Sequence, residues 1–217
     1  MASYQIRINM PTPEEILKST AYLANNYMAI AAMWHVVIVL LITSYISRRW
    51  MSSRIYYGLP ALLFLSVSLL ALSVLNFFNS FVYFGLSIIF LRKAIRIRDS
   101  HFELNDSVFL TVSACLIILS GLVYPHFLNA SFFAYIVASP TGVIPCPTLL
   151  LVSGISLLFV RSDDKSIFYT LIPVNVAYGL IGILFLGVYL DIILIAAAIL
   201  QFVYIMAMPK IQKVSQV

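Results

Sequence analysis

The chain has 217 residues, of which 62% are hydrophobic and 10% charged, with a net charge of +5. Soluble domains run nearer about 45–50% hydrophobic and about 25% charged, so a soluble fold is excluded and no room remains for a separate soluble domain of ordinary size. The basic excess reads as loop charge on the cytoplasmic side of a membrane rather than as a nucleic-acid surface, and two cysteines are too few for a disulfide framework.

Residues 1–11 are polar. Thr12-Pro13-Glu14-Glu15 then supplies a capping residue, a proline suited to the first helical position and an acid placed for a capping box. A short helix from Pro13 to Ala24 follows, with Ile16, Leu17, Ala21 and Ala24 on one face; it either lies at the membrane surface or extends the first span. The start lacks the basic, apolar and small-residue pattern of a cleaved signal peptide, so the first span is expected to stay in the mature chain.

Seven apolar spans are then expected: Tyr27–Ile46, Tyr56–Leu75, Phe77–Leu91, Val108–Tyr124, Pro147–Val160, Ile167–Leu186 and Leu190–Met208. Asn76 to Asn79 forms a tight connection, Ala94 to Asp106 is the most charged segment, and Arg161 to Lys165 makes a charged turn. Between spans four and five runs a long uncharged loop, and Pro209 ends the last helix. The fold class is therefore an all-α integral membrane protein: residues 1–26 a polar start with a surface helix, residues 27–208 one seven-helix domain, residues 209–217 a tail. Arg48, Arg49, Arg54, Arg92, Lys93, Arg96, Arg98, Arg161, Lys165, Lys210 and Lys213 fall on one side of this scheme, and only Arg7 and Lys18 on the other. That asymmetry places the N-terminus outside and the C-terminus in the cytoplasm.

Small residues at Gly179, Gly182, Gly187 and Ala196–Ala198 allow close helix approach, and Pro60 and Pro173 are placed to kink spans two and six. The uncharged loop holds the chemistry-bearing residues: Tyr124-Pro125-His126, then Ser139-Pro140-Thr141-Gly142-Val143-Ile144-Pro145-Cys146-Pro147-Thr148. Cys146 at a helix N-terminus, where free N–H groups favour a thiolate, invites pairing with His126 around a soft metal such as Cu(I) or Zn(II). Two ligands do not make a site and no third is evident, so a packed, inert Cys146 is the alternative. Asp191 opens span seven, where a helix start alone explains an acid; the other reading is a cation or proton site facing an outer vestibule. His35 lies in the outer half of span one, Asn175 near mid-depth in span six, and Asn76, Asn79, Tyr124 and Thr148 on the outer side. Together with Cys146, His126 and Asp191 these nine outline an outward polar site, or else each bonds a neighbouring helix and does nothing more.

Asn25-Asn26-Tyr27, Leu75-Asn76-Phe77-Phe78-Asn79, Leu122-Val123-Tyr124-Pro125, Gly142-Val143-Ile144-Pro145-Cys146-Pro147-Thr148, Ile172-Pro173 and Gly187-Val188-Tyr189-Leu190-Asp191 carry a resemblance. The chain resembles, over nearly its whole length, a prokaryotic multi-pass membrane family described as domain of unknown function 6064. The resemblance implies a location in the prokaryotic cell membrane and carries a loose permease label, with no catalytic residues.

No Walker loop, dinucleotide fingerprint or His-Glu-x-x-His occurs. Span seven has no lysine for a retinal Schiff base, and no paired histidines stand ready for haem, so no cofactor is evident and no catalytic set is read. Three functions remain: a small-solute or ion permease; a structural or accessory subunit with a membrane-protein partner or a second copy of itself; and a thiol or metal handler using Cys146 and His126. The expected surroundings are lipid, not nucleic acid.

Overall fold

A computed structural model of the chain describes residues 12–48, 50–97, 101–128, 132–160 and 164–214. The polar start with Arg7, and Arg49, Arg98 and Arg161, lie outside the described residues, as do the side chains of Lys210 and Lys213.

Helix α1 (Pro13–Asn26) begins as its sequence predicts. Thr12 Oγ1 accepts the Glu15 N–H at 3.3 Å and Glu15 Oε2 accepts the Thr12 N–H at 2.8 Å, a reciprocal box that satisfies two helix-start donors. There follow α2 (Met28–Arg48), β1 (Trp50–Ser52), α3 (Ser53–Ser73), α4 (Phe77–Arg96), β2 (His101–Leu104), α5 (Val108–Leu122), α6 (Phe132–Ala138) and α7 (Pro145–Leu158). The chain continues through β3 (Phe159–Val160), α8 (Ser166–Leu180), a π-helical turn at Ile181–Phe185, a 3-10 turn at Tyr189–Asp191, and α9 (Ile192–Val214).

Among the described residues five helical stretches are long and apolar enough to cross a membrane: Met28–Arg48, Ser53–Ser73, Phe77–Arg96, Ser166–Phe185 and Tyr189–Ala207. Helices α5 and α7 are as apolar but have only 15 and 14 residues. At about 1.5 Å per residue they reach roughly 22 Å, less than a hydrocarbon core of about 30 Å. Helix α7 stops early because Phe159 and Val160 turn extended to pair with Leu104 and Glu103. Helix α5 stops because the chain folds inward, where the Tyr124 N–H donates to Ser139 Oγ at 2.9 Å.

Helix α7 is the axis of the bundle. Every residue from Pro147 to Leu158 is buried, and α3, α5, α8 and α9 all pack on it. Helices α3 and α4 form one outer pair, and α8 and α9 another. Large apolar side chains stand exposed on the outer faces, among them Leu40, Leu69, Phe81, Leu116 and Val203, as a lipid-facing surface requires. Pro60 and Pro173 lie inside α3 and α8 without ending either.

A small sheet closes one end. Strand β2 pairs antiparallel with β1 (Trp50 opposite Glu103) and with β3 (Leu104 opposite Phe159). It therefore ties together the connections that follow α2, α4 and α7. The most charged segment, Ala94 to Asp106, is thus partly strand, and the fold is mostly helical rather than purely so. Beneath the sheet Phe102 stacks on Tyr56 with ring centroids 3.7 Å apart and meets Tyr57 edge-on at 5.7 Å. Arg48, Arg54, Arg92, Lys93, Arg96 and Lys165 gather at the helix ends around it.

The opposite end is organised by the uncharged segment. It is no extended loop: it contains α6, and Ser139, Thr141, Val143 and Ile144 are buried in the bundle. Backbone outside helices survives at such depth only when its polar groups are paired. Thr141 Oγ1 donates to Gly121 O at 2.7 Å, and the Val143 and Ile144 N–H groups donate to Pro140 O. Gly142 sits at φ +76° under the Trp34 ring, where a Cβ would come within 2.4 Å of the indole, so position and conformation both require glycine. Two further expectations are corrected here. The α3–α4 connection is Val74–Asn76, with Leu75 at φ 58° and Asn76 capping α4 through the Asn79 N–H. Helix α9 runs through Pro209 to Val214, so Pro209 does not end it.

Candidate functional site

At the end opposite the sheet lies a cavity of about 780 Å3. Its walls come from α1, the start of α4, the first turn of α7, the last turn of α8 with its π turn, and the chain into α9. Asp191, Cys146, Tyr178, Asn79, Asn76, Glu15, Ser19 and Thr20 supply its polar side chains, and Phe77, Phe78, Phe127 and Phe185 much of its apolar wall.

Asp191 is 1% exposed. A carboxylate at the start of a helix ordinarily caps it, yet this side chain turns inward. Oδ1 accepts the Tyr124 hydroxyl at 2.7 Å and Oδ2 accepts the Cys146 thiol at 3.2 Å. Three local features make that turn. Gly187 at φ +68° reverses the chain after the π turn, and the Val188 N–H returns to Gly182 O at 2.8 Å. Gly182 then leaves space for the carboxylate, since a Cβ there would fall 1.9 Å from Asp191 Oδ2. The π turn places Gly182 against Asp191 by widening the last turn of α8, a distortion that clusters at functional places in helices.

Cys146 is the second residue of α7, after Pro145 at the first position, and not a residue preceding the helix. Its sulfur faces Asp191 rather than a histidine. Tyr178 donates to Asn79 Oδ1 at 2.7 Å across the α4–α8 seam. Beside it, edge-on at 5.6 Å between centroids, lies Tyr83, whose buried hydroxyl has no hydrogen-bond partner among the described residues.

Of the nine residues singled out from sequence, five meet here: Cys146, Asp191 and Tyr124 in one hydrogen-bonded group, Asn79 and Asn76 on the wall. The other four do not. His126 is exposed and meets the Phe127 ring edge-on at 4.3 Å; it lines no part of the cavity, and the expected Cys146–His126 pair is not formed. Among the described residues no group of three His, Cys, Asp or Glu is placed to hold a metal. His35 is buried between Ala31 O (3.0 Å from Nδ1) and Leu122 O (2.8 Å from Nε2), and so ties α2 to the end of α5. Thr148 accepts the Gly142 N–H at 2.8 Å and donates to Ile144 O at 2.7 Å, which fixes the buried turn. Asn175 lies in a separate knot: its amide donates to Ser153 Oγ (2.7 Å) and Gln201 Oε1 (3.2 Å), and Gln201 donates to Ser156 Oγ (3.0 Å). These four lie apart from the cavity for one reason: which residues become neighbours depends on helix order in space, which no local sequence pattern fixes.

Sequence reasoning missed Tyr178, Tyr83, Glu15 as a cavity residue, and the phenylalanine wall. One signal was present: Tyr178 and Gly182 are four residues apart, a spacing that in a helix puts two residues on one face.

No family model, no curated protein and no solved structure matches the chain.

Proposed function

We propose that the protein is a seven-span permease for a small solute in a prokaryotic cell membrane, with the cavity as its outward-facing binding site. The shorter α5 and α7 complete the count: α7 is sheathed by protein along its length, so it need not reach both headgroup layers by itself. The charge asymmetry supports a cytoplasmic sheet end and an outward-facing cavity.

The observation that carries the reading is a cavity of about 780 Å3 whose deep wall holds a buried acid and a thiol. Small-molecule sites are of this size, largely apolar, with a few convergent polar groups.

Reagent access tests the reading. In a Cys115→Ser chain Cys146 is the single thiol. A small water-soluble thiol reagent is expected to modify it from outside. In inside-out vesicles modification is expected to be slower, during inward-facing excursions of the cavity. Protection from both sides would remove the cavity, and modification from outside alone would leave a binding protein and no permease.

A further inference from the structure

We propose that the ligand of this cavity is a lipophilic organic cation, an amine or quaternary onium ion on an apolar body, with Asp191 as its counter-ion. The proposal rests on the reading above in taking this cavity as the binding site. Four observations converge on it.

The first is charge. The described residues lining the cavity include two carboxylates, Glu15 and Asp191, and no Lys, Arg or His. An anionic solute would meet both acids without compensation.

The second is the state of Asp191. It is buried, and its contacts are two neutral donors, one on each oxygen. A carboxylate offers about four acceptor sites, so half of its capacity remains. A buried charge without a counter-charge is costly, and a cation in the cavity supplies one. The Gly182 gap holds the carboxylate in this place.

The third is the wall. Phe77, Phe78, Phe127, Phe185 and Tyr178 surround the space, and aromatic faces attract cations. A volume of about 780 Å3 far exceeds what a bare metal ion or proton needs, and suits a body with several rings or a branched alkyl group.

The fourth is access. Phe77, Phe78 and Phe185 are each more than half exposed at the rim. An apolar rim on a lipid-facing surface admits a solute already dissolved in the outer leaflet. Lipophilic cations partition there, whereas a small hydrophilic cation does not.

The experiment uses the full chain in nanodiscs of zwitterionic lipid, with empty nanodiscs as the blank. The probes are tetraphenylphosphonium and tetraphenylborate, which share a shape and differ in sign. The cation is expected to bind saturably and the anion not. Asp191→Asn keeps the size of the side chain and an acceptor for Tyr124, and is expected to weaken cation binding by about tenfold or more. Glu15→Gln, at the exposed mouth, is expected to weaken it by about twofold. Should Asp191→Asn fail to fold, the unaltered site decides: tetraphenylphosphonium is expected to slow thiol modification of Cys146, and tetraphenylborate to leave it unchanged. Equal binding of both ions, or an Asp191→Asn chain that binds the cation as well as the parent, overturns the proposal while the cavity reading stands. A co-purified phospholipid that the cation does not displace also overturns it, since the lipid then occupies the site. Failure of any thiol reagent to reach Cys146 removes the permease reading itself.

Discussion

Two acids lie near the starts of successive helices, one at each end of the bundle, and their surroundings differ. Asp164, beside the sheet, is fully provided for. Its Oδ1 accepts the Ser166 N–H at 3.0 Å and the Ser166 hydroxyl, and its Oδ2 accepts the Tyr57 hydroxyl. Lys93 contacts Ser166 and lies over the Tyr57 ring at 5.4 Å. Asp191, at the cavity, has a phenol and a thiol and, among the described residues, no cation. The sheet end is closed by paired strands and stacked rings, while the cavity end is built around open volume. The contrast separates an acid whose partners are all internal from one whose strongest partner must come from elsewhere.

The largest effect is expected from breaking the closed end at its centre. Phe102 is fully buried, stacked on Tyr56 and edge-on to Tyr57. Phe102→Ala leaves a cavity where three strands meet α3, and should cost about 3–5 kcal/mol, read as a lowered unfolding midpoint in detergent. A comparable truncation at the cavity rim, Phe78→Ala, removes a side chain already 62% exposed and should cost far less. Equal losses at the two positions would dissolve the distinction between a packed end and an open one.

An intermediate effect belongs to Asp164. Burial pushes its carboxyl up, but the Ser166 and Tyr57 hydrogen bonds and the nearby Lys93 charge outweigh it, so it titrates below the ordinary carboxylate value. A lowered folded pKa stabilises the fold at pH above the unfolded value, near about 3.9. That contribution is lost as pH falls through the folded value. The stability difference between the parent and Asp164→Asn should therefore be full at neutral pH and vanish in acid. Tyr57→Phe, which deletes one of the donors, should cost about 1 kcal/mol at neutral pH. A stability gap that does not change with pH would mean that the Asp164 charge plays no part.

How far the sequence foretold this contrast follows from what each feature depends on. The long helices were readable because each is a run of apolar residues bounded by charges or turn formers, a local property, whereas the seven-residue α6 was read as loop. The capping box at Thr12 was readable for the same reason. Strands of two to four residues, such as Trp50–Ser52 and Phe159–Val160, carry no periodic signal, and their pairing with His101–Leu104 is a long-range event. The π turn at Ile181–Phe185 has the composition of any apolar helix. Asp191 stood out as an acid expected on the outer side, but its inward turn needs Gly182 and Gly187 to act across a chain reversal, and that register is set by packing. Asp164 was passed over as part of a charged turn. The same composition describes a solvated acid and a fully partnered one.

The smallest effect on stability is expected where the effect on function is largest. Asp191→Asn removes a buried charge that has no counter-ion among the described residues and keeps an oxygen to accept the Tyr124 hydroxyl. Removing an uncompensated buried charge offsets what the weaker hydrogen bonds lose. The unfolding midpoint should stay within the range of about 1 kcal/mol of the parent without ligand. With tetraphenylphosphonium present the two chains should separate, because a ligand stabilises only the fold that binds it. The parent midpoint should rise with cation concentration and the Asp191→Asn midpoint should not. A large loss of stability in the ligand-free variant would place Asp191 beside Asp164 as a structural acid, and the two ends of the molecule would then differ in packing alone.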